Sequence, residues 1–283
     1  MSRSSRHSPL LYSVLLAGIA LPGSALATNG YFSRGYGVRT QAVAGVGIAL
    51  PQDGLAAANN PAGTAGLSNR LDMGAAWFRP SRGASISGNG AGANGSFSGD
   101  DTENFLIPEL GYVRQLSEQL SFGFALHANG GMNTDYGRNP FAPFGSKGSA
   151  GVNLEQLFIT PSLAWKLDDR NSVGIATTFA YQRFEMKGVQ AFANPFFSAS
   201  PTDVSNKGVD SSTGWGWKLG WTGEVTPGVT LGATYSSRVE MGRFSSYKGL
   251  FAERGGFDVP ASYGVGVAWT ATGALTVASD WQR

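Results

Sequence analysis

The sequence predicts an all-β fold, a transmembrane antiparallel up-and-down β-barrel, and three observations carry that expectation. Apolar side chains alternate with small or polar ones through about nine segments, a period of two that suits strands. Charged residues make up only 14% of the 283, against roughly 25% in soluble domains. Yet mean hydropathy is only −0.10, and past the N-terminal leader no run approaches the ~20 apolar residues of a spanning helix. The hydrophobicity is therefore spread over every second position, as in walls that face lipid on one side and a lumen on the other. Third, short and long connections between the segments alternate strictly.

The leader comes first. Arg3 and Arg6 precede an apolar stretch from Leu10 to Leu21, and Ala25-Leu26-Ala27 supplies a small-x-small cleavage site. Residues 1–27 are thus expected to be a signal peptide, cleaved after Ala27; the alternative is a retained anchor. Residues 28–68 are rich in glycine and alanine with no sustained strand pattern. They are expected to be either a loose leader or a plug folded back into the barrel, with the wall made from residues 69–283.

The strands follow in order. Leu71, Met73, Ala75 and Trp77 share one face of the first. Leu106, Pro108, Leu110 and Tyr112 are in phase in the second. In the third, Leu120, Phe122, Phe124 and Leu126 alternate with Ser121, Gly123, Ala125 and His127. The fourth carries Leu157, Ile159, Leu163 and Trp165, and the fifth Val173, Ile175, Phe179 and Tyr181. Trp215, Trp217, Leu219 and Trp221 mark the sixth. Val229, Leu231, Ala233, Tyr235 and Val239 mark the seventh, with Arg238 on the opposite phase. The eighth is expected from Val259 to Trp269 and the ninth from Leu275 to Trp281.

Turns at 117–119, 168–171, 226–228 and 270–273 are short. Connections at 81–103, 131–152, 186–212 and 244–258 are long and rich in Gly, Ser, Asn and Pro. Outer-membrane barrels have this asymmetry, whereas a β-sandwich has no reason to collect every long loop at one end. Nine strands, with Asp280-Trp281-Gln282-Arg283 still inside a strand, predict a barrel incomplete at its C-terminus, because single-chain bacterial barrels are even-numbered.

Composition excludes several functions. There are no cysteines, which removes disulfide frameworks and thiol or zinc chemistry; no metal or other cofactor is expected. A net charge of +2 gives no field suited to nucleic acid. Beyond the leader the one histidine is His127, with Asn129 nearby, too little for a nucleophile, base and orienter. The chain is not expected to be an enzyme.

Several short motifs resemble those of the FadL/TodX family of outer-membrane transporters. They are Ala27-Thr28-Asn29-Gly30-Tyr31-Phe32, Gly35-Tyr36-Gly37, Ala49-Leu50-Pro51-Gln52-Asp53 and Asn60-Pro61-Ala62. Further on come Thr134-Asp135-Tyr136, Gly214-Trp215-Gly216-Trp217, Tyr235-Ser236-Ser237-Arg238-Val239, Lys248-Gly249 and Val259-Pro260-Ala261. The resemblance covers residues 27–283. It implies a fourteen-stranded monomeric barrel in a Gram-negative outer membrane, in contact with lipid and lipopolysaccharide, with residues 28–68 as a hatch. It also implies passive uptake of a fatty acid, alkane or aromatic, caught by external loops, held in the lumen and released sideways at a kinked third strand. A structural, adhesin-like or phage-receptor barrel is the competing reading.

The site residues follow from that frame. Phe192, Phe196, Phe197, Leu250 and Phe251 make greasy loops suited to ligand capture, with Phe141 and Phe144 a weaker pair; loop self-packing or an interface girdle is the alternative. Asn129-Gly130-Gly131 would form the kink, or merely begin a loop. A carboxylate ligand needs a cation. The resemblance favours Arg183 and Lys187, and strand phase offers Lys218 and Arg238; each could instead pair with Glu185, Glu224 or Glu240. Asn60, Pro61 and Ala62 are assigned to the hatch, where Asn-Pro favours a turn.

Overall fold

A computed structural model describes Gly30 and residues 32–283; the expected signal peptide lies outside the described residues. All nine alternating segments are strands. They are β1 (Arg70–Phe78), β4 (Phe105–Gln115), β5 (Leu120–Tyr136), β6 (Ala150–Lys166), β7 (Asn171–Lys187), β8 (Asp210–Thr226), β9 (Val229–Ser236), β11 (Ser262–Thr272) and β12 (Leu275–Gln282). They pair antiparallel in chain order, and the two-residue β10 (Glu240–Met241) adds to β8. Among the described residues β1 and β12 each have one neighbour, so the sheet is not closed. No helix among them is long and apolar enough to cross a membrane.

Period two fixes the faces. Leu71, Met73, Trp77, Leu106, Ile175, Phe179, Trp215 and Val265 are exposed on the outside. Ser121, Ala125, His127, Phe158, Thr160, Ala176, Ala180 and Gln182 are buried on the inside. An apolar exterior around a largely small and polar interior suits a wall bathed in lipid.

Two expectations about this wall need correction. The first long connection is not irregular throughout, because β2 (Gly83–Ile86) and β3 (Gly95–Ser98) form a separate hairpin within it. Their short Gly/Ser-rich sequences carry no readable alternation. The alternation of the seventh segment also slips. β9 ends at Ser236, and Ser237 turns back to bond Trp217 through both its N–H and its hydroxyl. Beyond that break Val239 is buried inside and Arg238 is exposed, the reverse of the unbroken phase. The eighth strand accordingly starts at Ser262, leaving Val259 in an isolated bridge to Val239.

Residues 32–68 lie against the inner face of this sheet. They form two short helices, α1 (Val38–Ala42) and α2 (Ala56–Asn59), and a 3-10 helix at Pro61–Gly66. Asn60 caps the last, its side-chain oxygen accepting from Ala62 N at 3.1 Å, while Pro61 presets the first helical φ. The buried Asn60 amide also donates to the Ile48 carbonyl at 2.8 Å and to that of Trp221 in β8 at 3.0 Å. Small residues permit this backbone-to-wall approach. Gly174 and Gly220 face each other across β7 and β8, and a Cβ on either would collide with the Asn60–Ala62 stretch.

Candidate functional site

The wall changes character half-way along β5. From Ser121 to Leu126 the strand pairs with both β4 and β6, but its last partner in β4 is Leu110, opposite Leu126. Beyond that point β4 continues to Phe105 beside β1 alone, and β5 continues to Tyr136 beside β6, with its other edge unpaired until Asp135 bridges to Asp100. The β5–β6 register also shifts between Asn129 and Met132: Asn129 faces Gln156, whereas Met132 faces Leu154. Three steps on β5 match two on β6, so one residue is extra at Gly130-Gly131, the signature of a bulge. Pro108 lies where β4 pairs with β1 but not with β5, so a missing N–H is tolerated there.

A cavity of about 400 Å³ fills this gap, a size ordinary for small-molecule pockets. Phe78, Phe105, Leu106, Ile107 and Pro108 form one side, and Asn129, Leu154, Gln156, Leu157 and Tyr181 the other. Above it runs a chain of paired polar groups: Arg82 donates to the side chain of Asn133, Asn133 to Asn153 at 2.9 Å, and Asn153 to Glu155 at 2.9 Å. Arg183 closes that chain on Glu155 at 3.4 Å.

A second cavity, of about 450 Å³, lies between residues 32–59 and the inner wall. Phe32, Ile48, Phe158, Val239 and Val259 give it apolar sides, and Tyr36, His127 and Lys218 give it polar ones. His127 is packed between two rings, with Tyr36 at 4.0 Å and Phe158 stacked at 5.2 Å between centroids. The two cavities are separated by a bridge in which Asn129 Oδ1 accepts from Tyr36 Oη at 3.2 Å and from Ser33 N at 3.4 Å.

The four candidate cations part company. Lys187 pairs with Asp135 at 2.9 Å, Arg183 with Glu155, and Arg238 with Asp258 at 3.4 Å. Arg238 points away from the lumen, for the register reason given above. Lys218 reaches the lumenal cavity and donates to the Ala58 carbonyl; of the four it alone forms no ion pair among the described residues.

The greasy loops separate likewise. Phe196 is 87% exposed and Phe197 60%, and both stand in an edge-to-face chain running Phe141, Phe192, Phe197, Phe196. Leu250 and Phe251 instead turn inward. They pack on Leu154, Phe184, Phe244 and Tyr247, with Phe251 edge-on to Phe184 at 4.7 Å. The two loops are clasped by Asp203, which takes Lys248 at 3.2 Å and Lys207 at 3.7 Å. The Ser200 hydroxyl, then Lys248 and Thr202, hold the Asp203 carboxyl down to about 2.

Several working residues escaped the sequence reading. Asp72, Glu109 and Asp280 are wall carboxylates that hold backbone N–H groups of the N-terminal segment: Gly54 at 2.8 Å, Gly37 at 3.3 Å, and Gly47 and Ile48 at 2.8 and 2.9 Å. The one signal was a charge on the lumenal phase of a strand. Tyr36 and Gln156 were missed too, although alternation around Leu157 and Ile159 already places Gln156 inside.

Comparison with known proteins agrees on the fold. The structure resembles the Pseudomonas putida toluene transporter TodX at a TM-score of 0.70 and 20% identity, over 90% of this chain and 71% of that one. It resembles the Ralstonia pickettii toluene transporter TbuX at 0.65 and 19%, over 88% and 71%. A Pseudomonas aeruginosa FadL homologue matches at 0.52 and 18%, over 83% and 65%. No curated protein matches the sequence. At these identities the likeness speaks for the fold alone. The family itself is shown by sequence: the model described as outer membrane protein transport protein (OMPP1/FadL/TodX) matches residues 21–278, and the chain belongs to that family.

Proposed function

We propose that the chain forms a passive route for hydrophobic small molecules across the outer membrane, with loop capture, lumenal binding and lateral release. The observation that carries this reading is the loss of β4–β5 pairing beyond Leu110 and Leu126, with a bulge and an apolar-walled cavity in the gap. A β-wall in hydrocarbon normally satisfies every backbone group, so a gap in the ladder carries a cost that a passage role would account for. Phe192, Phe196 and Phe197 form the capture patch; at ~25 cal/mol per Å² an apolar ligand gains several kcal/mol by covering it. Leu250 and Phe251 act behind it, as the packed floor beneath the loops. Residues 28–68, with Asn60, Pro61 and Ala62 at their centre, act as the hatch, and Asn129 with Gly130 and Gly131 frames the exit.

Among the cations, Lys218 is the one placed to meet a ligand carboxylate. Arg183, Lys187 and Arg238 already have acidic partners. The similar structures described as toluene transporters make a monoaromatic hydrocarbon the first ligand to test and a fatty acid the second. Uptake of radiolabelled toluene and hexadecanoate is compared between a deletion strain and the same strain carrying the gene. Restored uptake of either supports the route; equal uptake with and without the gene rejects it. Lys218→Met is expected to weaken hexadecanoate binding about tenfold, one charge-assisted hydrogen bond, and to leave toluene unaffected.

A further inference from the structure

A row of side chains crosses the inner face at the level of the bulge. Asn129, Gln156, Gln182 and Ser212 stand opposite one another on β5, β6, β7 and β8. Gln182 Nε2 donates to Ser212 Oγ at 2.9 Å and to the Phe257 carbonyl at 3.1 Å, and Gln156 Nε2 donates to Gln182 Oε1 at 3.0 Å. The row then stops. Gln156 Oε1 and Asn129 Nδ2 have no hydrogen-bond partner, although both residues are almost fully buried, at 3% and 2% exposure. Both line the wall cavity.

This end is unlike the rest of the cavity. The polar chain above, from Arg82 through Asn133 and Asn153 to Glu155 and Arg183, is joined throughout. A buried amide atom left unbonded carries a desolvation cost that native interiors seldom tolerate without a reason. Here one donor and one acceptor are left without partners on neighbouring strands, beside a cavity whose apolar sides are Phe105, Leu106, Leu157 and Tyr181 and whose other polar groups, among them Asn133, Asn153, Glu155 and Arg183, are already bonded to one another. A hydroxyl group satisfies both at once, accepting from Asn129 Nδ2 and donating to Gln156 Oε1. A hydrocarbon satisfies neither, and a carboxylate would meet the Gln156 oxygen as a repulsive neighbour.

We propose that the wall cavity is a binding site for neutral hydroxyl-bearing hydrophobic ligands, an alkylphenol or medium-chain alcohol, read by Asn129 and Gln156. This rests on the lateral route above and sharpens its substrate class. The test uses 4-ethylphenol and ethylbenzene, a pair that differs by one hydroxyl. Affinities of the purified chain are measured by calorimetry in one detergent, so that partition into micelles cancels between wild type and variants. Gln156→Met removes the acceptor at nearly constant volume. Asn129→Leu removes the donor at nearly constant volume and without adding a charge, the Tyr36 hydroxyl losing its acceptor as well.

Each variant is expected to lose about tenfold in 4-ethylphenol affinity, the scale of a neutral hydrogen bond to a buried partner, with ethylbenzene affinity held within about twofold. A variant that merely misfolds lowers both ligands together, and so is told apart by the ratio. If both variants leave that ratio at the wild-type value, the hydroxyl reading is overturned while the route stands. If wild type binds neither ligand and restores no uptake, the route fails and the hydroxyl site with it.

Discussion

The two halves of β5 are one strand with two fates. The inner half, Leu120 to Leu126, is hydrogen-bonded on both sides and backed by Ala57 and Thr64 from the N-terminal segment. The outer half, from Ala128 to Tyr136, has a ladder with β6 and a single bridge from Asp135 to Asp100, carries the extra residue, and is backed by a cavity. Nothing in residue type marks the change except Asn129-Gly130-Gly131. The difference shows that a single strand can change its neighbours part-way along with no separate element intervening.

Four changes break or sharpen this contrast. Deletion of Gly130 should have the largest effect, bringing β5 back into register with β6 and letting its outer half approach β4; uptake is expected to fall to that of the deletion strain. Retained uptake would detach passage from the bulge. Next, Gly174→Val acts on the firm half, where a side chain meets the backbone of Pro61 and Ala62. The expected loss is about 3 kcal/mol, at the upper end for overpacking against backbone, read from denaturant unfolding in detergent, with faster proteolysis of residues 32–68.

The third change tests the exposed rings of the outer loop. Phe196→Asp with Phe197→Asp should reduce hydrocarbon affinity about tenfold while stability stays within about 0.5 kcal/mol, because both rings are exposed. The smallest effect belongs to Asp203→Asn, which loosens the clasp between the two outer loops; hydrogen exchange over residues 198–206 should quicken with no change in overall unfolding. The same clasp gives a pH signature. Its carboxyl lies below the ordinary 3.8, at about 2, so its contribution is complete above about pH 4 and is lost as pH falls towards 2. Exchange in this loop should therefore be flat from pH 7 to 5 once corrected for intrinsic rates.

Much of the wall was legible from the sequence because a barrel writes its faces at every second residue. Trp215, Trp217 and Leu219 could only be lipid-facing, and the alternation of short and long connections fixed the chain-order pairing. Where the strand broke, the period misled: Arg238 was assigned to the lumen because nothing in Ser236-Ser237 announces the slip. The N-terminal segment was readable as an exception but not as a shape, since Ala56–Asn59 and Pro61–Gly66 owe their form to the wall they touch. Among the loop residues, Phe196 and Phe251 look alike in sequence. Only tertiary packing separates the exposed ring from the one beneath Phe244. The open end of the Asn129–Gln156 row was invisible, because it depends on which amide atoms meet across strands.

The bonds from Asp280 to Gly47 and Ile48 span 233 and 232 residues. Contacts of such sequence separation require the longest loop closures and therefore form late in folding. The same stretch is also held by Asp72 at Gly54 and by Glu109 at Gly37, so Asp280 supplies the most distant of three carboxylate anchors. The Asp280 anchor waits for β12 to be laid down beside β11, whereas those from Asp72 and Glu109 need only β1 and β4, so the N-terminal segment is fixed to the wall in stages.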